Sequence, residues 1–156
     1  MGVAITLQQY LGQQNSQFDL VPHPRAVTAL RMASACHVPG DRLAKGVVLA
    51  DDTGYVLAVL PASRRIRLAD VQAMLGRDLH LAAEREVEQL FADCDPGAVP
   101  PVGTAYGLEA IVDASIDKLP EVYFEAGDHQ TLIHMSGERF AQLSGRATHG
   151  QFSTSY

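Results

Sequence analysis

The residue types best suited to chemistry lie in and around a loop at positions 94–103. The loop reads Cys-Asp-Pro-Gly-Ala-Val-Pro-Pro-Val-Gly and holds two glycines and three prolines in ten residues. Such a segment has little conformational freedom to lose on binding, because proline fixes the backbone, and glycine lets the backbone approach a ligand closely. The composition therefore predicts that this loop forms the wall of a pocket.

No protein nucleophile is indicated near this loop. The Gly-x-Ser-x-Gly turn that presents a serine nucleophile in many hydrolases is absent. Cys94 is the one thiol beside the loop, but Asp93 and Asp95 flank it. Their negative field raises the pKa of a thiol and disfavours the reactive thiolate. Hydrolytic chemistry at this loop is therefore predicted to use water directly.

The sequence predicts no metal site and no cofactor. The six histidines are scattered, and His129 and His134 would lie on opposite faces of an extended strand. No His-Glu-x-x-His, Cys-x-x-Cys or phosphate-binding glycine motif is present. The loop at 94–103 also carries prolines where a phosphate cradle needs N–H donors.

Composition indicates a single domain, spanning 1–156, in a reducing cytoplasm. The chain has 156 residues and only two cysteines, and a chain of this length needs neither disulfides nor a metal to hold a core. No signal peptide or membrane-spanning apolar run is seen. The formal charge of −6 argues against a protein that coats nucleic acid. Arg64, Arg65, Arg67 and Arg77 form either a solvated turn or a local contact to a phosphate backbone.

Hydrophobic patterning predicts an α+β fold with a largely antiparallel mixed sheet. The clearest element is a hairpin of 45–50 with 55–60, whose continuous apolar strands predict cover on both faces. The polar tail, 146–156, is expected to fray. Further strands are predicted at 18–21, 79–81, 107–112, 122–126 and 131–135, and helices around Leu7 and Leu11, at 25–37, 68–75 and 83–91, and after Ser136.

Three landmarks occur in the order seen in the YbaK/prolyl-tRNA-synthetase-associated family, and the chain resembles that family from about 18 to 143. They are Lys45 at the head of Ala-Lys-Gly-Val-Val-Leu, Gly97 in the proline-rich loop, and the Gly-Asp-His run that ends at His129. The resemblance implies a strongly curved, barrel-like sheet with helices packed around it. One departure is Val102, where the family often places an aromatic residue.

The resemblance also implies roles for individual residues. Lys45, Gly97 and His129 are the implied catalytic residues, and Gly127 and Asp113 are implied substrate contacts, although Asp113 could equally cap the next short helix. Because a second ammonium beside the substrate's α-amine would be repelled, Lys45 is expected to address the terminal ribose and phosphate or the developing oxyanion. The residues expected to form the pocket floor are Ala98, Val99, Pro100 and Pro101.

The function implied by the resemblance is that of a cytoplasmic, free-standing trans-editing hydrolase that maintains translation fidelity. It would remove a small mischarged amino acid from tRNA, with alanine on tRNA(Pro) the leading candidate and cysteine, serine or threonine as alternatives. Its partner would be the acceptor end of aminoacyl-tRNA, with a synthetase or elongation factor supplementing the contact. Two other classes stay open: a non-catalytic module that binds a small ligand or a protein, and a general hydrolase of small esters.

Overall fold

The centre of the fold is an antiparallel hairpin of strands β2 (Leu43–Asp51) and β3 (Gly54–Pro61). In this computed structural model, which describes residues 3–26 and 28–156, the Asp51 carboxylate closes the hairpin turn. Its Oδ1 accepts the backbone N–H groups of Thr53 and Gly54 at 2.9 and 3.0 Å. The hairpin predicted from the two apolar runs is therefore confirmed, with two extra residues at the start of β2.

The hairpin lies inside a mixed sheet with the strand order β1-β8-β7-β2-β3-β6-β9. Four of its pairings are antiparallel (β1 with β8, β7 with β8, β2 with β3 and β2 with β5), and β2 with β7, β3 with β6 and β6 with β9 are parallel. The predicted α+β class is confirmed, but in the described residues the sheet is open, not a closed barrel. The remaining strands of this sheet are β1 (Asp19–Pro22), β5 (His80–Leu81), β6 (Glu109–Asp113), β7 (Glu121–Glu125), β8 (Thr131–Ser136) and β9 (Thr148–Gly150).

Helices pack around the sheet, and within the described residues three of them begin at side-chain caps, provided by Thr28, Asp113 and Ser136. The Thr28 hydroxyl accepts the N–H of Arg31 at 3.2 Å, and the Ser136 hydroxyl accepts the N–H of Arg139 at 3.1 Å, which satisfies N–H groups that the helix itself cannot pair. Ser136 is the predicted cap. The helices are α1 (Ile5–Gln13), α2 (Ala29–Ala35), α3 (Leu68–Leu75), α4 (Glu84–Leu90), α5 (Ala114–Asp117) and α6 (Gly137–Ser144).

Helix α2 is shorter than the predicted helix at 25–37. Val27, which was expected on its buried face, lies outside the described residues.

Buried side chains cover both faces of the hairpin, as its apolar strands predict. One cluster includes Leu57 and Phe124, and a second, on the opposite face, includes Leu60 and Phe152. At about 25 cal/mol per Å² of buried apolar area, burial on both faces makes the hairpin the anchor of the fold. The pocket described below is therefore built on a rigid strand.

The segment expected to fray is ordered, and this expectation was wrong. Strand β10 (Ser153–Ser155) pairs antiparallel with β4 (Arg64–Ile66), and Phe152 before it is fully buried. The Arg64 guanidinium donates to Ser153, from Nε to the hydroxyl at 2.7 Å. A single buried aromatic residue and a short ribbon thus hold the tail against the sheet.

Across residues 3–26 and 28–156, none of the helices has both the length and the apolar character that crossing a membrane would require.

Candidate active site

A pocket of about 60 Å³ lies between helix α2, the start of β2 and the loop at 94–103. Because about 10–15 Å³ of such space holds one water molecule, the pocket has room for a few small groups. It brings together the three residues for which a catalytic role was expected, although they lie far apart in the sequence. The lining residues used below are Lys45, Gly46, Gly97, Val99, Glu125 and His129.

Gly97 and His129 face each other in this pocket. Gly97 has φ +80°, and a Cβ built on it would lie 3.7 Å from Cε1 and 3.8 Å from Nε2 of His129. The His129 ring is held in place, because its Nε2 lies 2.7 Å from the carbonyl oxygen of Pro96. A carbonyl can only accept, so Nε2 carries a proton and donates to it.

Glu125 anchors the turn that carries His129. Its Oε1 accepts three backbone N–H groups, from Gly127 at 3.1 Å, Asp128 at 3.3 Å and His129 at 3.1 Å. These bonds stabilise the turn in which His129 has φ +58°, a left-handed conformation that is unfavourable for a residue with a side chain. No role was predicted for Glu125 from the sequence. The signal that could have revealed it is a carboxylate two residues before a glycine turn, where backbone N–H groups need an acceptor.

Lys45 is half-buried and its ammonium contacts Tyr156. Nζ donates to the Tyr156 hydroxyl at 2.9 Å and lies 5.0 Å from the centre of the ring. Tyr156 follows β10, so the ribbon of β4 and β10 brings an aromatic side chain to the catalytic candidate. No sequence pattern pointed to this contact, because it depends on the placement of the tail.

Gly46 explains how the loop closes onto β2. A Cβ at this position would lie 2.9 Å from Cδ1 of Leu57, 3.3 Å from Cγ1 of Val99 and 3.5 Å from Cα of Pro101. Contacts this short leave no room for a side chain without displacing the loop. The Lys-Gly pair therefore places a candidate catalytic side chain next to a position of close backbone approach.

The structure does not bring every expected floor residue to the pocket. Val99 lines it together with Gly97, whereas Ala98, Pro100 and Pro101 are buried behind the loop surface. Gly127 is also buried outside the lining: with φ +119°, a Cβ there would lie 2.9 Å from the Cβ of Ala4 and 3.3 Å from Sγ of Cys94. These four residues support the loop and the turn from beneath.

Asp113 lies outside this pocket, with both carboxylate oxygens occupied. Oδ2 accepts the backbone N–H of Ser115 at 3.1 Å and also its hydroxyl, and Oδ1 accepts the N–H of Phe152 at 2.9 Å. Burial acts to raise the pKa of Asp113, but the bonds from Ser115 and Phe152 outweigh it and the net direction is down. Of the two expected roles, the structure shows the helix cap, here for α5.

The basic residues separate into two groups. Arg77 is held at the hairpin turn by Asp51, with Nε to Oδ2 and Nη2 to Oδ1 both at 2.8 Å, and by Glu109 at 3.1 Å. The bonds from Arg77 hold the pKa of Asp51 well below its usual range. Arg65 is exposed on β4, opposite Thr154 of the ribbon that leads to Tyr156. Arg77 is therefore engaged at the hairpin turn, whereas Arg65 is exposed on the ribbon that precedes Tyr156.

Residues 23–143, which include every pocket residue named above, match the profile of the aminoacyl-tRNA editing domain. The chain belongs to this family, the YbaK family. The match covers well over half of the sequence and supports an aminoacyl-tRNA deacylase activity. No curated protein sequence matches this editing domain.

Solved structures share the fold of this editing domain. One, described as a candidate trans-editing enzyme for prolyl-tRNA synthetase, is 25% identical with a TM-score of 0.84, covering 97% of this chain and 96% of the other. A scaffold protein used for computational epitope grafting is 24% identical, with a TM-score of 0.84 and coverage of 98% and 97%. A candidate signal transduction protein from Marinobacter aquaeolei VT8 is 26% identical, with a TM-score of 0.77, and this chain spans 30% of its length.

The thiol of this editing domain is not activated. Cys94 lies 3.4 Å from the Tyr106 hydroxyl, and burial, reinforced by the charge of Asp93, raises the pKa of the Cys94 thiol to about 12. At neutral pH it stays protonated and is a poor nucleophile. Among residues 3–26 and 28–156, no three His, Cys, Asp or Glu side chains are grouped so that they could hold a metal ion.

Proposed function

We propose that this chain is a trans-editing deacylase that hydrolyses the ester of a small mischarged amino acid on tRNA(Pro). Alanine is the first candidate, and cysteine, serine and threonine are the alternatives. The observation that carries the proposal is the meeting of Lys45, Gly97 and His129 in one pocket of an editing domain. Action in trans is supported by the similarity to the candidate trans-editing enzyme, which extends over nearly the whole of both chains.

The proposed mechanism needs no protein nucleophile. An aminoacyl-tRNA is an activated ester, so an enzyme gains usefully by holding a water in line with the carbonyl and by stabilising the tetrahedral oxyanion with fixed donors. The Gly97 backbone lies against the pocket without a side chain in the way, and Lys45 supplies the positive charge. The contact with Tyr156 orients that ammonium before the substrate arrives.

The size of the pocket supports a small amino acid as substrate. The pocket is small, about 60 Å³, so a methyl or hydroxymethyl side chain fits beside the attacking water more readily than the ring of proline. Steric exclusion of a larger side chain can be steep, but rejection of a smaller one is weak because one methylene is worth only about 1–3 kcal/mol. We therefore expect alanine, serine and cysteine to be cleared at comparable rates, and proline to be spared.

A panel of labelled aminoacyl-tRNAs tests this proposal. Purified protein is incubated with alanine, cysteine, serine, threonine and proline, each esterified to tRNA(Pro), and with alanine on tRNA(Ala). The expected result is rapid loss of alanine from tRNA(Pro), with prolyl-tRNA(Pro) decaying at the uncatalysed rate. Binding of the panel without turnover would contradict the proposal and favour a non-catalytic binding module.

A further inference from the structure

We infer that Glu125 and His129 form the subsite that receives the α-ammonium group of the aminoacyl substrate. This inference rests on the proposed deacylase function and deepens it. It names the two protein atoms by which the pocket would recognise an aminoacyl ester and reject an ester without an amine. The atoms are Oε2 of Glu125 and Nδ1 of His129, which lie 3.9 Å apart. Both residues line the pocket that holds Lys45 and Gly97.

The Glu125 carboxylate is fixed in orientation. Its Oε1 is occupied by three backbone N–H groups of the turn at 127–129. In the described part of the chain, no backbone or side-chain group donates a hydrogen bond to Oε2, and the side chain keeps 14% of its surface exposed. One oxygen thus anchors the turn, and the other is left without a hydrogen bond among the described residues, on a side chain that lines the pocket.

The tautomer of His129 follows from its bond to Pro96. Because Nε2 donates its proton to the Pro96 carbonyl, Nδ1 of the neutral ring carries a lone pair and accepts. With the ring neutral, Nδ1 and Oε2 of Glu125 are two neighbouring acceptors, and among the described residues no donor lies between them. An ammonium group has three donors and a positive charge, so it can bond to both atoms at once.

Among the described residues, the pocket is lined by one positive and one negative side chain. Lys45 is its cation, and Glu125 is the carboxylate that lines it within the described residues. A substrate whose α-ammonium contacts Glu125 turns its ester toward the positive side, where Lys45 meets the oxyanion without repelling the amine. Asp113, the carboxylate that was expected to contact the substrate, has both oxygens bonded elsewhere.

Burial of Glu125 agrees with this role. Desolvation raises its pKa, and the backbone bonds from Gly127 and His129 oppose the shift only in part. A buried carboxylate of this kind gains from a cation placed against its free oxygen, because the cation stabilises the ionised form.

The test compares two substrates that differ only at the α position: alanyl-tRNA(Pro) and lactyl-tRNA(Pro), in which a hydroxyl replaces the ammonium. Each kcat/KM is divided by the spontaneous hydrolysis rate of the same ester in the same buffer, because the ammonium also activates the ester chemically. The wild type is expected to prefer the alanyl ester by about 10- to 100-fold, the range for a hydrogen bond to a charged group. In Glu125→Gln, which keeps an acceptor for the turn but replaces Oε2 by a donor, the preference is expected to fall to about 1.

Asp128→Asn is the matched control. Asp128 is another buried carboxylate of the same turn, with Oδ1 bound to the N–H groups of Gln130 and Thr131 at 2.9 and 2.8 Å, and it does not line the pocket. This variant is expected to keep the wild-type preference for the alanyl ester. A folded Glu125→Gln variant that also keeps the preference, including one that loses activity on both esters equally, would overturn the subsite.

Wild-type measurements alone also decide the question if Glu125→Gln fails to fold. A normalised preference above tenfold supports the subsite, and one below about threefold overturns it while leaving the deacylase function intact. Wild-type protein that hydrolyses neither ester would instead refute the proposed function, and with it the subsite.

Discussion

Replacing Gly97 by alanine distinguishes the contribution of Gly97 to turnover from its contribution to folding stability. The new Cβ would lie 3.7 and 3.8 Å from the His129 ring atoms, which is ordinary van der Waals contact, so no clash is expected. The folding cost comes instead from φ +80°, and a left-handed residue with a side chain costs about 1–2 kcal/mol. We therefore expect the free energy of unfolding to fall by that amount.

The expected effect of Gly97→Ala on turnover is much larger. A methyl group on residue 97 takes up space in a pocket of only about 60 Å³, where we propose that the attacking water sits. Since a misplacement of 1 Å at a reacting centre can cost about 10²-fold, kcat/KM for alanyl-tRNA(Pro) is expected to fall by at least that factor. Initial rates of deacylation give this number, and urea denaturation gives the stability.

Gly76→Ala provides the matched control for backbone strain. Gly76 has φ +64° at the end of α3, and among residues 3–26 and 28–156 no atom lies within 4 Å of its Cβ position. It is not among the residues that line the pocket. The variant should lose similar stability and no activity. If Gly97→Ala and Gly76→Ala hydrolyse alanyl-tRNA(Pro) within threefold of each other, the assignment of Gly97 to the reacting centre is refuted.

Three further predictions concern charge. Lys45→Ala should lower kcat/KM by at least about 10²-fold, the usual loss for one oxyanion donor, and leave the circular dichroism spectrum unchanged. Tyr156→Phe removes only an exposed hydrogen bond to Lys45, so it should lower kcat/KM by less than about tenfold. Arg65→Ala should raise KM for tRNA and lower the slope of log KM against log salt by about one. Arg77→Ala should do neither, because the Arg77 guanidinium is already held by two carboxylates. Equal salt slopes in both variants would contradict this prediction. Because the folded-state pKa of Glu125 is raised above its ordinary 4.5, the stability of the wild type relative to Glu125→Gln should be greatest below pH 4.5 and fall as the pH rises through the folded-state pKa; a difference that grows with pH in urea denaturation would contradict this.

Local sequence patterns predicted the strands and helices whose formation depends mainly on neighbouring residues. The continuous apolar runs of β2 and β3 are visible in sequence because both faces of these strands are buried. Helix α6 begins at Ser136 because a hydroxyl there can accept a free N–H group of the first turn. The helix α3 was predicted with its observed ends, since Gly76 follows it in a left-handed conformation.

The tail could not be predicted in this way. Phe152 is a single apolar residue in a polar segment, and its burial depends on an N–H bond to Asp113, 39 residues earlier. The pairing of β10 with β4 joins residues about 90 positions apart, and three-residue strands carry no periodic signal. The contact of Tyr156 with Lys45 follows from that pairing and was hidden for the same reason.

The candidate site also contains residues that the sequence predicted and residues that depend on the fold. Gly97 was accessible from the sequence, because its flanking prolines mark a rigid loop. Glu125 was missed, because a carboxylate two residues before a glycine is visible in the sequence but its bonds to the turn are visible only in the fold. Asp113 looked suitable at the end of an apolar strand, but only the structure shows that Ser115 and Phe152 already occupy its oxygens.

A single-turnover reaction with labelled alanyl-tRNA(Pro), quenched in acid at successive times, tests most directly the claim that the pocket hydrolyses the ester with water alone. The predicted result is that free alanine appears at the same rate as alanine leaves tRNA, with no label on the protein at any time. Label carried by the protein, at Cys94 or any other side chain, would contradict the account, and so would alanyl-tRNA(Pro) that persists as long as it does without the protein.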